Sequence, residues 1–219
     1  MKVNTDGVLA GALAHHPEPG TILDIGAGTG VISLMMAQRY PGARVEAVEI
    51  DPAAAATADR NFRNSPFADR LHLHAVPFAA YFKEDPERRF DLIVTNPPFF
   101  LHALRHEDQA RNTARHTDSA FFGDLFGLAA KHLDQSGTLA MILPVDTVDA
   151  VDHLARSAGL YPAWEIAIRS FPASEPHREL VGFKRMQTEC RRDYFTIYES
   201  EKIYSAEYRQ LLKDFLTIF

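Results

Sequence analysis

The sequence of 219 residues has one cysteine, Cys190, and one tryptophan. A single thiol closes no internal disulfide and offers no paired-cysteine metal spacing, so a reducing compartment, the cytoplasm, is the expectation. Long apolar runs are also missing, and none approaches the ~18 residues of a membrane span. The start, MKVNTDGVLAGALAHH, has a faint look of an export signal. Asn4 and Asp6 interrupt it where it should be apolar, and its basic head is only Lys2. An excess of positive charge is absent as well. The formal net charge of −6 argues against non-specific coating of nucleic acid. It leaves room for a local basic patch, for which Arg105, Arg111 and Arg115, or Lys184, Arg185, Arg191 and Arg192, are candidates; they read equally well as solvated surface charge. No internal repeat or low-complexity tract is visible.

With 46% apolar residues, the chain is long enough for one sizeable core, and a single domain over 1–219 is expected. Apolar runs alternate with helical patterns. TILDIGA, RVEAVEI, LHLHAV, FDLIVT and GTLAMILP read as strands, with two more near 163–171 and 179–186 and a further run, YFTIY, in the tail. Helices are expected at roughly 30–40, from Pro52 to about Asn64, at 118–133, from Asp146 to Ser157, and over SAEYRQLLKDFLTIF. Such interleaving implies a mostly parallel sheet covered on both faces, with ligands at the carboxyl ends of its strands. The irregular stretch 97–117 is too long for a passive connection and reads as a functional loop.

LDIGAGTG puts Gly26, Gly28 and Gly30 at the end of the first strand, where the backbone must turn tightly and let a ligand approach closely. The spacing is G-x-G-x-G, with Val31 where a dinucleotide fingerprint has its last glycine, which favours a nucleoside cofactor without a pyrophosphate. Glu49 ends the second strand about twenty residues later, where a carboxylate can accept from ribose hydroxyls, and Ile50 follows it in the same turn. Asp51 reads as the cap of the helix opening at Pro52. Asp24 could meet the ammonium of an amino-acid moiety, although both acids could serve only to orient loops. Thr5-Asp6-Gly7 reads as a helix cap or, equally, as a lid over the cofactor.

The fourth strand leaves through TNPPFF. Asn96-Pro97-Pro98 can neither continue a ladder nor relax into a helix. The Asn96 amide oxygen and the Pro97 carbonyl are thereby left as fixed acceptors, a pair that suits a planar NH2 group. Such an amine attacks poorly until its N–H bonds are held out of plane, and acceptors aimed at the developing positive charge stabilise the transition state. Phe99 could stack on an aromatic substrate, as pockets for flipped bases require, whereas Phe100 is expected to pack inward.

Together these motifs resemble class I S-adenosylmethionine-dependent methyltransferases. LDIGAGTG looks like their cofactor loop, VEID like their ribose-binding turn, and NPPF like the catalytic motif of enzymes that methylate planar amino nitrogens. The resemblance implies a Rossmann-like α/β fold, with a mostly parallel seven-stranded sheet, helices on both faces and an antiparallel last strand. A closer likeness is carried by MKVNTDGVLAGA, NPPFF, QARNTARH, EPHRELVGF and YSAEYRQLLKDF, which resemble the bacterial tRNA1(Val) adenine-N6 methyltransferase family. It implies methylation of the adenosine 3′ of the anticodon, with the N6 amine of a flipped adenine taking the methyl group in one in-line displacement. By that likeness Asn96, Pro97 and Phe99 hold the adenine. Thr5, Asp24, Gly26, Gly28, Gly30, Glu49, Ile50 and Asn96 hold S-adenosylmethionine. Phe100, Arg111, Arg115, His116, His177 and Arg178 face the tRNA. No metal, membrane or obligate protein partner is implied.

Two departures from the family pattern stand out. Pro77 occupies the place of an acidic residue expected near the cofactor's adenine, and the aromatic and basic segment that usually precedes MKV is not in this sequence. Other readings remain open. A release-factor glutamine methyltransferase would carry a helical domain ahead of the glycine loop, and a ribosomal RNA guanine-N2 methyltransferase a duplicated domain. A DNA adenine methyltransferase would need a target-recognition region, and a silent RNA-binding scaffold has no need of Asn96 and Glu49. The pair His102 and His106 lacks a third metal ligand at suitable spacing, and His15, His16, His72, His74, His132 and His153 read as ordinary surface or core residues.

Overall fold

The computed structural model describes residues 4–97 and 112–218, with 112–119 given as backbone alone. Its elements are α1 (Thr5–Leu13), β1 (Thr21–Ile25), α2 (Val31–Arg39), β2 (Arg44–Val48), α3 (Pro52–Arg63), β3 (Leu71–His74), α4 (Phe78–Glu84), β4 (Phe90–Thr95), α5 (Asn112–His132), β5 (Leu133–Pro144), α6 (Val148–Ser157), β6 (Tyr161–Arg169), β7 (Arg178–Lys184), β8 (Arg191–Thr196), β9 (Tyr198–Ser200), β10 (Ile203–Tyr204) and α7 (Ala206–Leu212).

The main sheet runs β3-β2-β1-β4-β5-β7-β6-β8. β3 to β5 are parallel, and β7 lies antiparallel between β5 and β6. The expected antiparallel strand is present as β7, but it is not the last, and the described residues form a sheet of eight strands rather than seven. The tail run extends it as β8, parallel to β6, with Trp164 opposite Arg191 and Arg169 opposite Thr196. A separate hairpin, β9 and β10, follows.

Alternate residues of the strands supply the two faces. Ile22, Val45, Leu92, Val94, Ala140 and Ile142 face one core, together with Met36 of α2, Phe62 of α3 and Leu212 of α7. Leu23, Val48, Ile93, Leu139, Met141 and Phe183 face the other, with Tyr81 of α4, Phe126 of α5 and Val151 of α6. Helix α3 shows why the sequence reads correctly here. Asp51 caps it by accepting from the Ala54 N–H at 2.7 Å, Pro52 fills its first position, and Ala54, Ala58 and Phe62 form a buried stripe.

Several boundaries differ from the sequence expectation. The cap of α1 is Asn4, whose Oδ1 accepts from the Gly7 N–H at 2.7 Å, so Thr5 already lies inside the helix. α4 has only seven residues and follows Pro77, too short to declare itself by periodicity. α5 starts at Asn112, inside the stretch expected to be loop, and α7 ends at Leu212 instead of running to the end of the tail.

Gly182 of β7 pairs with Ala140 on one side and Trp164 on the other, and the Trp164 ring occupies the space where a Cβ would stand. Gly182→Ala should lower stability by about 1–3 kcal/mol through overpacking. Trp164 is the only tryptophan, so its fluorescence reports both the urea midpoint and the local packing. An unchanged midpoint and emission maximum would refute this account of the β6–β7 contact.

Candidate active site

The first turn out of β1 is built from left-handed backbone. Gly26, Gly28 and Gly30 have φ of 76°, 58° and 85°, a region L side chains rarely occupy. The Gly26 and Ala27 N–H groups both donate to the Val48 carbonyl, at 2.9 and 3.1 Å, which folds the turn over the end of β2. The glycines have different reasons to be there. A Cβ on Gly26 would meet nothing within 4 Å, so this position opens on free space where a ligand can approach the backbone. A Cβ on Gly30 would run into the Phe62 ring of α3, so this glycine serves close packing of the turn against a helix.

Two buried acids support the turn and the helix that follows it. The Glu49 carboxylate is buried; one oxygen accepts from the Gly28 N–H at 2.7 Å and the other from the Asp51 N–H at 2.8 Å. A carboxylate has about four lone-pair sites, so two remain for further donors. Ile50, next in the chain, is 70% exposed at the lip of the same turn, an apolar surface that a flat ring could cover. Asp24 is wholly buried. Its Oδ2 accepts from the Ser33 hydroxyl at 2.6 Å and the Ser33 N–H at 3.1 Å, while Oδ1 has no partner. Asp24 thus supports the first turn of α2 through Oδ2, while its second oxygen is not engaged by any described residue.

The end of β4 is fixed by the Thr95 hydroxyl, which donates to the Ile25 carbonyl at 2.9 Å. Asn96 follows, and its Oδ1 is buried without a hydrogen-bond partner among the described residues. Its Nδ2 lies 3.9 Å from where a Cβ on Gly7 would stand, and Val31 of α2 lies 3.4 Å from that point. The first turn of α1, the start of α2 and the exit of β4 therefore meet at Asn96. Pro97, next in the chain, is buried. From α1, Asp6 reaches the start of β7, where Arg178 Nε donates to its Oδ2 at 2.9 Å. Next to it, burial lowers the pKa of His177, Arg178 pushes it further down, and Asp6 opposes both.

The sheet thus brings Thr5, Gly26, Gly28, Glu49, Ile50, Asn96, Pro97, His177 and Arg178 to its carboxyl edge. Phe99, Phe100 and Arg111 lie outside the described residues, as do His102 and His106. Arg115 and His116 fall in the opening turns of α5, where only the backbone is described. Pro77 caps α4, and its carbonyl accepts from Ala80 and Tyr81. That acceptor is spent, leaving the backbone of Ala75 and Val76 for any contact at this corner. Sequence reading missed the Asp6–Arg178 and Asp24–Ser33 links, which join residues 172 and 9 positions apart and carry no local signature. Among the described residues, no group of three or more His, Cys, Asp or Glu could hold a metal ion, and no helix is long and apolar enough to cross a membrane.

Burial pushes the Asp24 carboxyl up from 3.8 to about 7; the two Ser33 hydrogen bonds oppose this, and Glu49 adds a smaller push. The folded state holds this proton more tightly than the unfolded chain does. Its stabilising contribution is complete below the unfolded value of 3.8 and is lost as pH rises through about 7. Asp24→Asn keeps an acceptor for Ser33 and cannot ionise. It should stand above the wild type at about pH 8 by roughly 1–4 kcal/mol, and the gap should narrow toward about pH 5 and close only below about 3.8. Urea titrations showing the same difference at both pH values would contradict this.

A family model for the methyltransferase small domain matches residues 5–147. A tRNA1(Val) (adenine(37)-N6)-methyltransferase of Pedobacter heparinus is 40% identical over 219 residues, covering 100% of this chain and 92% of that protein. Among solved structures, a predicted O-methyltransferase from Agrobacterium tumefaciens superposes with a TM-score of 0.73 at 19% identity, covering 95% of this chain and 96% of that one. A glycopeptide N-methyltransferase complexed with S-adenosyl-L-methionine superposes with a TM-score of 0.56 at 15% identity, covering 78% and 89%. These two likenesses are of fold. The sequence identity along the whole chain goes further: the protein belongs to the tRNA1(Val) (adenine(37)-N6)-methyltransferase family.

Proposed function

We propose that the protein methylates the exocyclic N6 of the adenosine 3′ of the anticodon in tRNA1(Val), using S-adenosylmethionine. The observation that carries this reading is the Asn96 amide oxygen, buried and unpartnered at the carboxyl edge of the sheet beside the glycine turn. A buried acceptor left unpaired costs about 1–3 kcal/mol, a cost that a bound amino group removes.

The crevice suits the cofactor. Gly26 leaves open space over its backbone, Glu49 keeps two lone pairs for ribose hydroxyls, and Ile50 offers a flat apolar surface to the adenine. Thr5 and Gly7 border the amino-acid end from α1, and Asp24 acts through Ser33 by holding the first turn of α2 in place. When bound, S-adenosylmethionine supplies a methyl group activated by a positively charged sulfur.

The catalytic task of the chain is to hold a weakly nucleophilic amine. Asn96 Oδ1 and the Pro97 carbonyl accept its two N–H bonds and turn its lone pair out of the ring plane. The same two oxygens stabilise the positive charge that develops on nitrogen, and their fixed placement supplies the orientation. No strong base is required, because the alkylated nitrogen is acidic enough to lose its proton to water. Phe99 is assigned to stack on the extruded adenine and Phe100 to pack behind it. Arg111, Arg115, His116, His177 and Arg178 are assigned to the RNA backbone and loop.

Asn96→Ala should lower kcat by about 10²–10³-fold while cofactor affinity stays unchanged; near-normal turnover would remove Asn96 from its assigned role. Glu49→Ala should weaken cofactor binding, and an unchanged dissociation constant would contradict the ribose contact. The reaction itself is tested by incubating the protein with labelled cofactor and total tRNA from a strain lacking the enzyme, then analysing nucleosides by mass spectrometry. The expected product is N6-methyladenosine in one tRNA species. Label in guanosine or in a protein glutamine would overturn the assignment.

A further inference from the structure

At the far side of the carboxyl edge, four aromatic rings stand in a row. Tyr208 of α7 is buried and stacks on Tyr204 of β10, with centroids 4.7 Å apart and planes at 9°. Tyr204 stacks on Tyr198 of β9 at 5.1 Å and 18°, and Tyr198 meets Phe171 at 5.6 Å and 33°. Phe195 of β8 joins the buried end, 6.3 Å from Tyr208. The row thus begins in the core and ends at Phe171, which is 36% exposed.

Phe171 is held in place by its backbone surroundings. The Ile197 and Tyr198 N–H groups donate to the Arg169 and Ser170 carbonyls at 3.0 and 2.8 Å, the Ser174 N–H donates to the Phe171 carbonyl at 3.0 Å, and the His177 N–H closes the loop onto Ile168 at 3.0 Å. This loop joins β6 to β7 and leads into His177 and Arg178. From the tip of β4 it is three strand spacings away, about 14–15 Å. Beside it, Arg169 lies over the Tyr194 ring at 5.7 Å and donates to the Thr196 hydroxyl at 3.0 Å; it has no carboxylate partner among the described residues.

We propose that Phe171 is a stacking platform for an unpaired base of the RNA substrate, flanking the base that enters the Asn96 pocket, with Arg169 placed for a neighbouring phosphate. Each ring in the row is supported by the next, so the exposed end is rigid before RNA arrives, and a base extends the stack without ordering a side chain. Stacking also suits this protein. With a net charge of −6 it cannot rely on a general electrostatic attraction to the phosphate backbone. A π-face gives affinity without charge, leaving one or two placed arginines to set the register.

The inference rests on the RNA substrate of the proposed function, and one experiment separates the two. Wild type, Phe171→Ala, Phe171→Leu, Phe171→Trp and Arg169→Ala are compared on an unmodified tRNA1(Val) transcript, measuring binding by anisotropy at several salt concentrations together with kcat, KM and cofactor affinity. Phe171→Ala and Phe171→Leu should raise the RNA Kd and KM by about five- to a hundredfold, with kcat, cofactor affinity and salt dependence unchanged. Phe171→Trp should bind as tightly as wild type or more tightly, which an apolar packing role would not produce. Arg169→Ala should weaken binding and reduce the slope of log K against log salt by about one. An abasic substitution at the stacked nucleotide should abolish the penalty of Phe171→Ala. If wild type methylates the transcript and Phe171→Ala binds it equally well, the platform is wrong and the methyl transfer stands. If wild type neither binds nor methylates it, the functional reading fails and the platform with it.

Discussion

The Glu49 carboxylate ties together everything that forms the cofactor crevice. One oxygen holds the Gly28 N–H and the other the Asp51 N–H, so a single side chain fixes the glycine turn to the exit of β2. Val48, one residue earlier, anchors the same turn with its carbonyl, and Asp51, two residues later, caps α3. α3 then returns Phe62 to the missing side chain of Gly30. The loop, the second strand and the third helix therefore form a closed circuit, and a left-handed run of three glycines is held in one conformation despite its intrinsic freedom.

A second circuit joins the catalytic end to the substrate side. Thr95 ties β4 to β1, which sets the direction in which Asn96 leaves the sheet. The first turn of α1 packs beside Asn96 through Gly7 and holds Arg178 through Asp6. α1 thus touches both the group assigned to the amine and the loop assigned to RNA. An Asp6–Arg178 pair that is only partly buried contributes little to stability. Its consequence is geometric: it orients a guanidinium that would otherwise sample many rotamers. Within this frame the Asn96 oxygen is a buried side-chain acceptor that the described residues leave unpaired, which supports the amine contact proposed for it.

The sequence made the central strands and the cofactor loop legible because their determinants are local. Apolar runs with β-branched residues, a glycine triplet, Asp51-Pro52 and the NPP kink each dictate backbone geometry within a few residues. It left α4 unread, because Phe78–Glu84 makes barely two turns and its burial is decided by Phe90 and His132 on other elements. β8 shares only 194–196 with the apolar run YFTIY, and its pairing with β6 is a long-range choice that a local pattern does not encode. Asp24 and Glu49 were located from position alone. What each of them holds is not a local matter: Asp24 is buried against Ser33 of α2, while Glu49 bridges the Gly28 and Asp51 N–H groups and keeps free lone pairs.

An acidic protein that acts on RNA must obtain its affinity from something other than bulk charge. Neutralising many phosphates would release counterions and bind any RNA, but it would make affinity collapse as salt rises. A net charge of −6 weakens that route and suppresses non-specific association with the large excess of other RNA in a cell. What remains is a small set of placed groups. In the proposed reading, the Asn96 and Pro97 acceptors take an amino group, a ring at Phe171 takes an exposed base face, and Arg169 and Arg178 take the backbone in a fixed register. The first two work only on nucleotides already out of a helix. The discrimination is therefore structural before it is sequence-based: a loop that presents several unstacked bases within reach satisfies all of these groups together, whereas a duplex satisfies none of the first two.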